Sequence, residues 1–284
     1  MQSGRCYQRD MRRLLFTADD FGLTQSVNEA VECAHRSGIL HAASLMVAGP
    51  AVADAVQRAM AMPGLCVGLH LVVTAGPAVL APTEIPDLVN AQGWFSPDQF
   101  RLGINYGLCA RVRRQLAAEI RAQFAAFAAT GLPLHHADAH KHMHLHPVVA
   151  RMMLDIGREF GLFRVRVPTE PPAVLARCGT RVGLGARAMY HWTRFLRRQV
   201  RAAGMVTSRY CFGIAWSGQL TTERVRRLLV ELPDGESEIY FHPAVTRDTL
   251  LRRLMPDYAH EAELAALVDP TVVRLAAEAS GAHP

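Results

Sequence analysis

The stretch LLFTADDFGLTQSVNEAVECAHRSG, residues 14–38, holds one complete strand-then-helix unit. Residues 14–18 form a short apolar run of strand type, and apolar positions then recur at helical spacing over 27–37 until Gly38. The same order repeats downstream. Candidate strands lie at 42–47, 66–71, 134–139, 163–167, 211–215 and 238–242. Helical spacing fills 111–130 and 148–160, ended by Gly131 and Gly161, and then 222–232, with Thr221 as its expected N-cap. Such repetition implies an α/β fold with a parallel sheet covered by helices. About seven units predict closure into a distorted (β/α) TIM-like barrel. Two stretches interrupt it. Residues 75–108, with Pro77, Pro82, Pro86 and Pro97, read as a long excursion over one barrel mouth. Residues 168–210 read as a second insertion containing one helix. The reading is a tail, 1–11, followed by a single domain, 12–284, with Met11 as an alternative start.

Composition narrows the class. Half of the 284 residues are apolar and a fifth are charged, which excludes a largely disordered protein. No run of eighteen apolar residues exists, so no transmembrane helix is expected. Residues 1–13 lack the apolar core of a secretory leader, which points to the cytoplasm. Six cysteines, at 6, 33, 66, 109, 178 and 211, form no C-x-x-C pair and read as incidental thiols. The net charge of +6 is compatible with an anionic partner.

The densest chemical signal is HHADAHKHMHLHP, residues 135–147. From His136 to His146 the polar positions are all even, which in a strand would put Asp138, His140, His142 and His144 on one face, about 6.6 Å apart. One ion can take only one or two neighbours from such a row, so a complete site needs distant ligands. Asp19 and Asp20 end the first candidate strand, His70 the third and His242 the last. All fall, with His140, at carboxyl ends of strands, where a parallel barrel carries its active site. One aspartate and two histidines leave coordination positions open, the catalytic arrangement, and imidazole favours Zn over Mg. Adjacent aspartates point different ways, so one can bind the ion while the other faces water. Amide hydrolysis also needs a proton for the departing amine, for which His242 is the candidate.

Competing motifs are missing or misplaced. The chain has no G-x-S-x-G, no Walker A loop and no H-E-x-x-H. Gly183-Leu-Gly185-Ala-Arg-Ala188 matches a loose dinucleotide fingerprint, yet no strand precedes it. Helical spacing over 187–203 puts Arg187, His191, Arg194, Arg198 and Arg201 along one face, with Met189, Trp192, Phe195, Leu196 and Val200 opposite. A helix packed on the barrel with a solvated basic face is one reading, and peripheral contact with anionic lipid is the other. No aromatic-rich basic platform accompanies the arginines, so nucleic acid is not an expected partner.

Three separated motifs, ADDFG around Asp19 and Asp20, VGLHL around His70, and the His136–His144 alternation, together resemble the YdjC-like carbohydrate deacetylases. The resemblance runs from about Arg12 to residue 270. The chain is most similar to the hopanoid-biosynthesis-associated (HpnK-like) branch, through SLMVAG at 44–49, AHKHMHLHP at 139–147, RVPTEPP at 166–172, FGIAWSG at 212–218 and EIYFHP at 238–243. This resemblance implies a metal-dependent hydrolase that removes the N-acetyl group of an N-acetylglucosaminyl hopanoid, a lipid-linked sugar. One divalent ion, Zn or Mg, would be held by Asp20, His70 and His140, with Asp19 as general base and His242 as acid. Asp138, His142, His144, Arg166 and Glu170 fall among polar residues near the pocket. Ala139 departs from the serine that chitooligosaccharide enzymes tend to carry there. The alternatives are deacetylation of soluble chitooligosaccharides and a non-catalytic lipid-binding protein with a vestigial metal site. Peripheral placement at the inner membrane face and a homodimer are compatible with the pattern.

Overall fold

The structure, a computed structural model, describes residues 12–281. The tail 1–11, with Met11 and Cys6, lies outside the described residues. Six parallel strands make one sheet: β1 (Arg13–Phe21), β2 (Ala42–Leu45), β3 (Cys66–Leu71), β4 (Ala137–Ala139), β5 (Tyr210–Phe212) and β6 (Glu236–Phe241). Their spatial order is β4-β3-β2-β1-β6-β5, curled into a half-barrel. The expected seven-stranded barrel is therefore corrected to six strands. The missing strand is 163–167, which makes only isolated bridges, Ala137 with Val165 and Arg164 with Val206. Backbone bonds from this irregular segment still tie the two sheet edges: Arg166 N–H reaches the Ala137 carbonyl, and Cys211 N–H reaches that of Thr169.

Helices cover the outer face. Those between β1 and β3 are α1 (Gln25–Ser37) and α2 (Val52–Met60); α3 (Gln99–Leu108) and α4 (Ala110–Ala129) precede β4. After it come α5 (Pro147–Glu159), α6 (Pro172–Arg177), α7 (Leu184–Ala202), α8 (Thr222–Glu231), α9 (Thr249–Leu254), α10 (His260–Val268) and α11 (Pro270–Ala279). In α1 the Thr24 hydroxyl accepts from Val27 N–H at the N-cap, and Val27, Ala30, Val31 and Ala34 form the buried stripe. Gly131 and Gly161 sit past α4 and α5 with φ of 75° and 80°, the left-handed helix end that glycine permits. Thr221 occupies the N-cap of α8, but its side chain makes no capping bond. Segment 168–210 holds two helices, α6 and α7, where one was expected.

The excursion at 75–108 ends in α3 and is pinned to α4. The buried Glu119 carboxylate accepts from Val79 N–H at 2.8 Å and Leu80 N–H at 2.9 Å. Gln123, one turn on, accepts from Val72 N–H at 2.8 Å. Burial pushes the Glu119 carboxyl up, while those amides and Gln123 oppose the rise.

Candidate metal centre and active site

Strand register brings the polar residues together. β1 runs between β2 and β6, and its pairing with β2 slips between Ala18 and Phe21. The irregularity falls on the two aspartates. Asp20 takes a left-handed backbone, φ 61°, which aspartate tolerates better than most residues. Adjacent side chains are thereby aimed into one site from different angles. Ala18 pairs with Phe241 of β6, so the next residue, His242, arrives beside Asp19. His70 pairs directly with Asp138 across β3 and β4.

Three ligand-type side chains converge. The Asp20 Oδ1 lies 3.0 Å from His140 Nδ1 and 3.4 Å from His70 Nε2, and all three residues are buried. His70 Nδ1 lies 2.8 Å from Asp138 Oδ1. With the Nδ1 proton donated to Asp138, the Nε2 lone pair of His70 faces a carboxylate oxygen. Two acceptors hold that distance only around a proton or a cation. Burial opposes charge on His70, but Asp138, Asp19 and Asp20 outweigh it and pull the imidazole up to about 10. Burial likewise opposes charge on Asp20, and His140 and His70 hold its carboxyl well below the usual range.

Among the described residues a second set, Asp19, His70 and Asp138, also brings its ligand atoms within 4.8 Å of one another. Within it the Asp138 carboxylate is already engaged. Asp138 receives His70, the Ser44 hydroxyl at 3.0 Å and Arg166 Nη1. Asp20 is different, since neither of its buried carboxylate oxygens has a hydrogen-bond partner. A site made of one carboxylate and two imidazoles, with unpartnered acceptors, fits a divalent transition ion. Asp138 behind His70 then supplies the carboxylate that fixes the ring's tautomer.

Arg166 anchors the other side. Its buried guanidinium bonds Asp19 Oδ2 at 2.7 Å, Glu238 Oε1 at 2.7 Å and Asp138. Three buried carboxylates, Asp19, Asp138 and Glu238, thus surround a single guanidinium, and a fourth, Asp20, is buried beside His70 and His140. If all four were ionised and the histidines neutral, as they would be as ligands of an ion, the formal excess would be three negative charges, which a divalent cation would offset in large part. The Asp19 Oδ1 is buried and unpartnered, free to accept a proton.

His242 is held from behind. Its backbone N–H donates to Glu263, and its ring stands edge-on to Tyr258 at 4.9 Å. Burial drives the ring's pKa down to about 4 against the pull of Asp20 and Asp19.

The histidine row is not a continuous strand face. β4 ends at Ala139, and His140–Leu145 turn into a 3-10 helix in which Lys141 and His142 are left-handed. That turn sends the side chains apart. His142 Nε2 meets the Tyr240 hydroxyl at 2.8 Å, and His144 Nε2 meets the Arg166 carbonyl at 3.0 Å. Neither joins the sets around Asp20 or Asp19. Glu170 accepts from Gly213 and Ala215 N–H at 2.8 and 2.9 Å, clamping the chain beyond β5. Reading the sequence overlooked Glu238, Ser44, Tyr240 and Glu263. Glu238 had a visible signal, a carboxylate directly before the apolar run at 239–241. Glu263 had none.

A profile of the YdjC-like protein family matches residues 13–278. The chain belongs to the YdjC-like family. A carbohydrate deacetylase of Brevibacillus brevis is 37% identical over 160 residues, 56% of this chain and 59% of that protein. The chain thus spans little more than half of that relative's length. A carbohydrate deacetylase of Geobacillus stearothermophilus is 29% identical over 268 residues, 94% of each chain. The crystal structure of an Enterococcus faecalis V583 protein, described as a candidate cellobiose-phosphate cleavage protein, superposes with a TM-score of 0.74. It covers 95% of each chain at 21% identity, a likeness of fold alone.

Proposed function

We propose that this YdjC-like chain is a metal-dependent carbohydrate deacetylase that removes the acetyl group from an N-acetylated amino sugar. The observation that carries the reading is the convergence of Asp20, with two unpartnered buried oxygens, on His70 Nε2 and His140 Nδ1. A divalent ion there would acidify water and polarise the acetyl carbonyl. Asp19, pinned through Oδ2 by Arg166, keeps Oδ1 to take the proton of the attacking water. His242 protonates the departing amine. Its ring is neutral at rest, so the proton it delivers is the one that Asp19 takes from the water, passed to the ring as negative charge builds on the substrate beside it. The carbohydrate deacetylase names of the relatives support the same chemistry.

A cavity of about 560 Å³ opens beside Lys141, the neighbour of His140, and is walled by Trp94 and Phe95 of the excursion and by Arg253 of α9. Arg253 lies 5.5 Å over the Trp94 ring. An aromatic face with a guanidinium suits a sugar ring, and we assign this cleft to the rest of the glycoside.

The motifs shared with the hopanoid-associated branch favour a glucosamine carried on a hopanoid polyol. Exposed Met189, Trp192 and Phe195 on α7 support peripheral contact with the membrane that would hold such a lipid. No helix among the described residues is long and apolar enough to cross a membrane. The test is acetate release from an N-acetylglucosaminyl hopanoid and from chitooligosaccharides, each with and without chelator. The reading requires chelator-sensitive release, faster from the hopanoid. Release from chitooligosaccharides alone would move the substrate to soluble sugars, and release from neither would leave a binding protein.

A further inference from the structure

Away from the candidate centre, α7 and the start of β5 enclose an open cavity of about 520 Å³ that shares no lining residue with it. Arg194, Arg197, Arg198 and Arg201 of α7 line it, joined by Arg209 just before β5. The four helix positions recur at spacings of three and four, which puts them on one face, where like charges oppose helix formation. Among the described residues, no carboxylate oxygen comes within 4.0 Å of these five guanidinium groups. Arg58, Arg111, Arg121, Arg177 and Arg274 sit on carboxylates, and other arginines such as Arg101 and Arg114 stand without one among the described residues; this group differs in that five gather around one cavity.

Arg197 is partly buried at the base. It donates to the carbonyls of Ser208 at 3.3 Å and Arg209 at 2.6 Å, which fixes the wall. Burial holds its guanidinium below its usual range, with Arg201 and Arg209 pushing the same way and Tyr190 and Tyr210 opposing. Five clustered positive charges with no protein counterion repel one another, and an anion from outside seated among them would relieve that repulsion. Guanidinium forks match phosphate oxygens in pairs, which distinguishes phosphate from a simple halide.

We propose that this arginine cavity binds a phosphate-bearing group, supplied as a free phosphate anion or as the headgroup of an anionic phospholipid. The site is independent of the deacetylase reading, and the experiment reads binding without any sugar substrate. Inorganic phosphate is titrated calorimetrically into the full chain and into Arg194→Gln/Arg198→Gln, both positions being exposed. Flotation with phosphatidylcholine vesicles, with and without phosphatidylglycerol, forms the second arm. Equal melting temperatures establish that the variant is folded. Saturable phosphate binding, weakened tenfold or more in the variant, supports the site with a soluble source. Flotation only with phosphatidylglycerol, lost in the variant, supports it with a lipid source. Wild-type protein that shows neither, or a variant that binds as well as wild type, overturns the proposal.

Discussion

Arg166 Nη1 lies 2.7 Å from Asp19 Oδ2, and both side chains are closed off from solvent. One guanidinium therefore fixes the carboxylate proposed as base while neutralising part of the charge of Glu238 and Asp138. Replacing Arg166 by Met leaves three carboxylates buried without their partner, a loss of about 3–5 kcal/mol. Urea denaturation is expected to show that loss, and acetate release to vanish even below the midpoint. A variant as stable as wild type would mean that the carboxylates carry protons instead of charge.

Asp19 and Asp20 separate by role despite being adjacent. Asp19→Asn is expected to keep its metal while turnover falls 10²- to 10⁴-fold, the usual share of a general base. His70→Ala and His140→Ala are expected to lose the metal itself, and Asp138→Asn to weaken it about 10- to 100-fold through His70. Metal content by mass spectrometry after dialysis, set beside acetate release, distinguishes these outcomes. Metal retained in His140→Ala would remove that residue from the ligand set.

The alternation of strand and helix was readable because the strands are buried on both faces and appear as continuous apolar runs. Residues 163–167 looked the same and did not become a strand, since bridges form only at single residues. α10 escaped notice for another reason. It buries His260 and Glu263 along with Ala266 and Leu267, and the two polar groups break the hydrophobic period. α2 buries only Ala55 and Ala59. In the site, the positions of Asp19, Asp20, His70, His140 and His242 at strand ends were legible from order alone. Which histidines of the row turn away from Asp20 was not, because it depends on the left-handed turn at Lys141 and His142.

Glu170 gives a pH signature. Burial raises its carboxyl to about 7 against three backbone amides, whereas the unfolded chain titrates near 4.5. The native state therefore holds the extra proton between these values. Its contribution to stability is full below about 4.5 and is lost as pH rises through about 7. A gap of that size corresponds to roughly 3 kcal/mol. Glu170→Gln cannot titrate, so its stability relative to wild type is expected to improve by about that amount from pH 4 to pH 8. The acceptor lost with the amide only adds an offset that does not change with pH. Urea midpoints at the two pH values measure this, and a constant gap between the proteins would rule it out.

Gly68 tests how tightly the polar interior is packed. It lies in β3 opposite Ser44, and a Cβ there would fall 2.5 Å from the His136 ring. That ring in turn contacts the Ser44 hydroxyl at 3.0 Å, and the same hydroxyl donates to Asp138, which orients His70. Backbone strain is not the issue, because Gly68 does not have positive φ. Gly68→Ala is expected to cost about 1–3 kcal/mol by overpacking and to weaken metal binding through the displaced Asp138. His136→Ala makes the room that the methyl needs. The double variant should accordingly be less destabilised than the two single losses together, by 0.5 kcal/mol or roughly more. Strict additivity in thermal melts would show that the methyl is accommodated elsewhere and that His136 does not depend on the gap at Gly68.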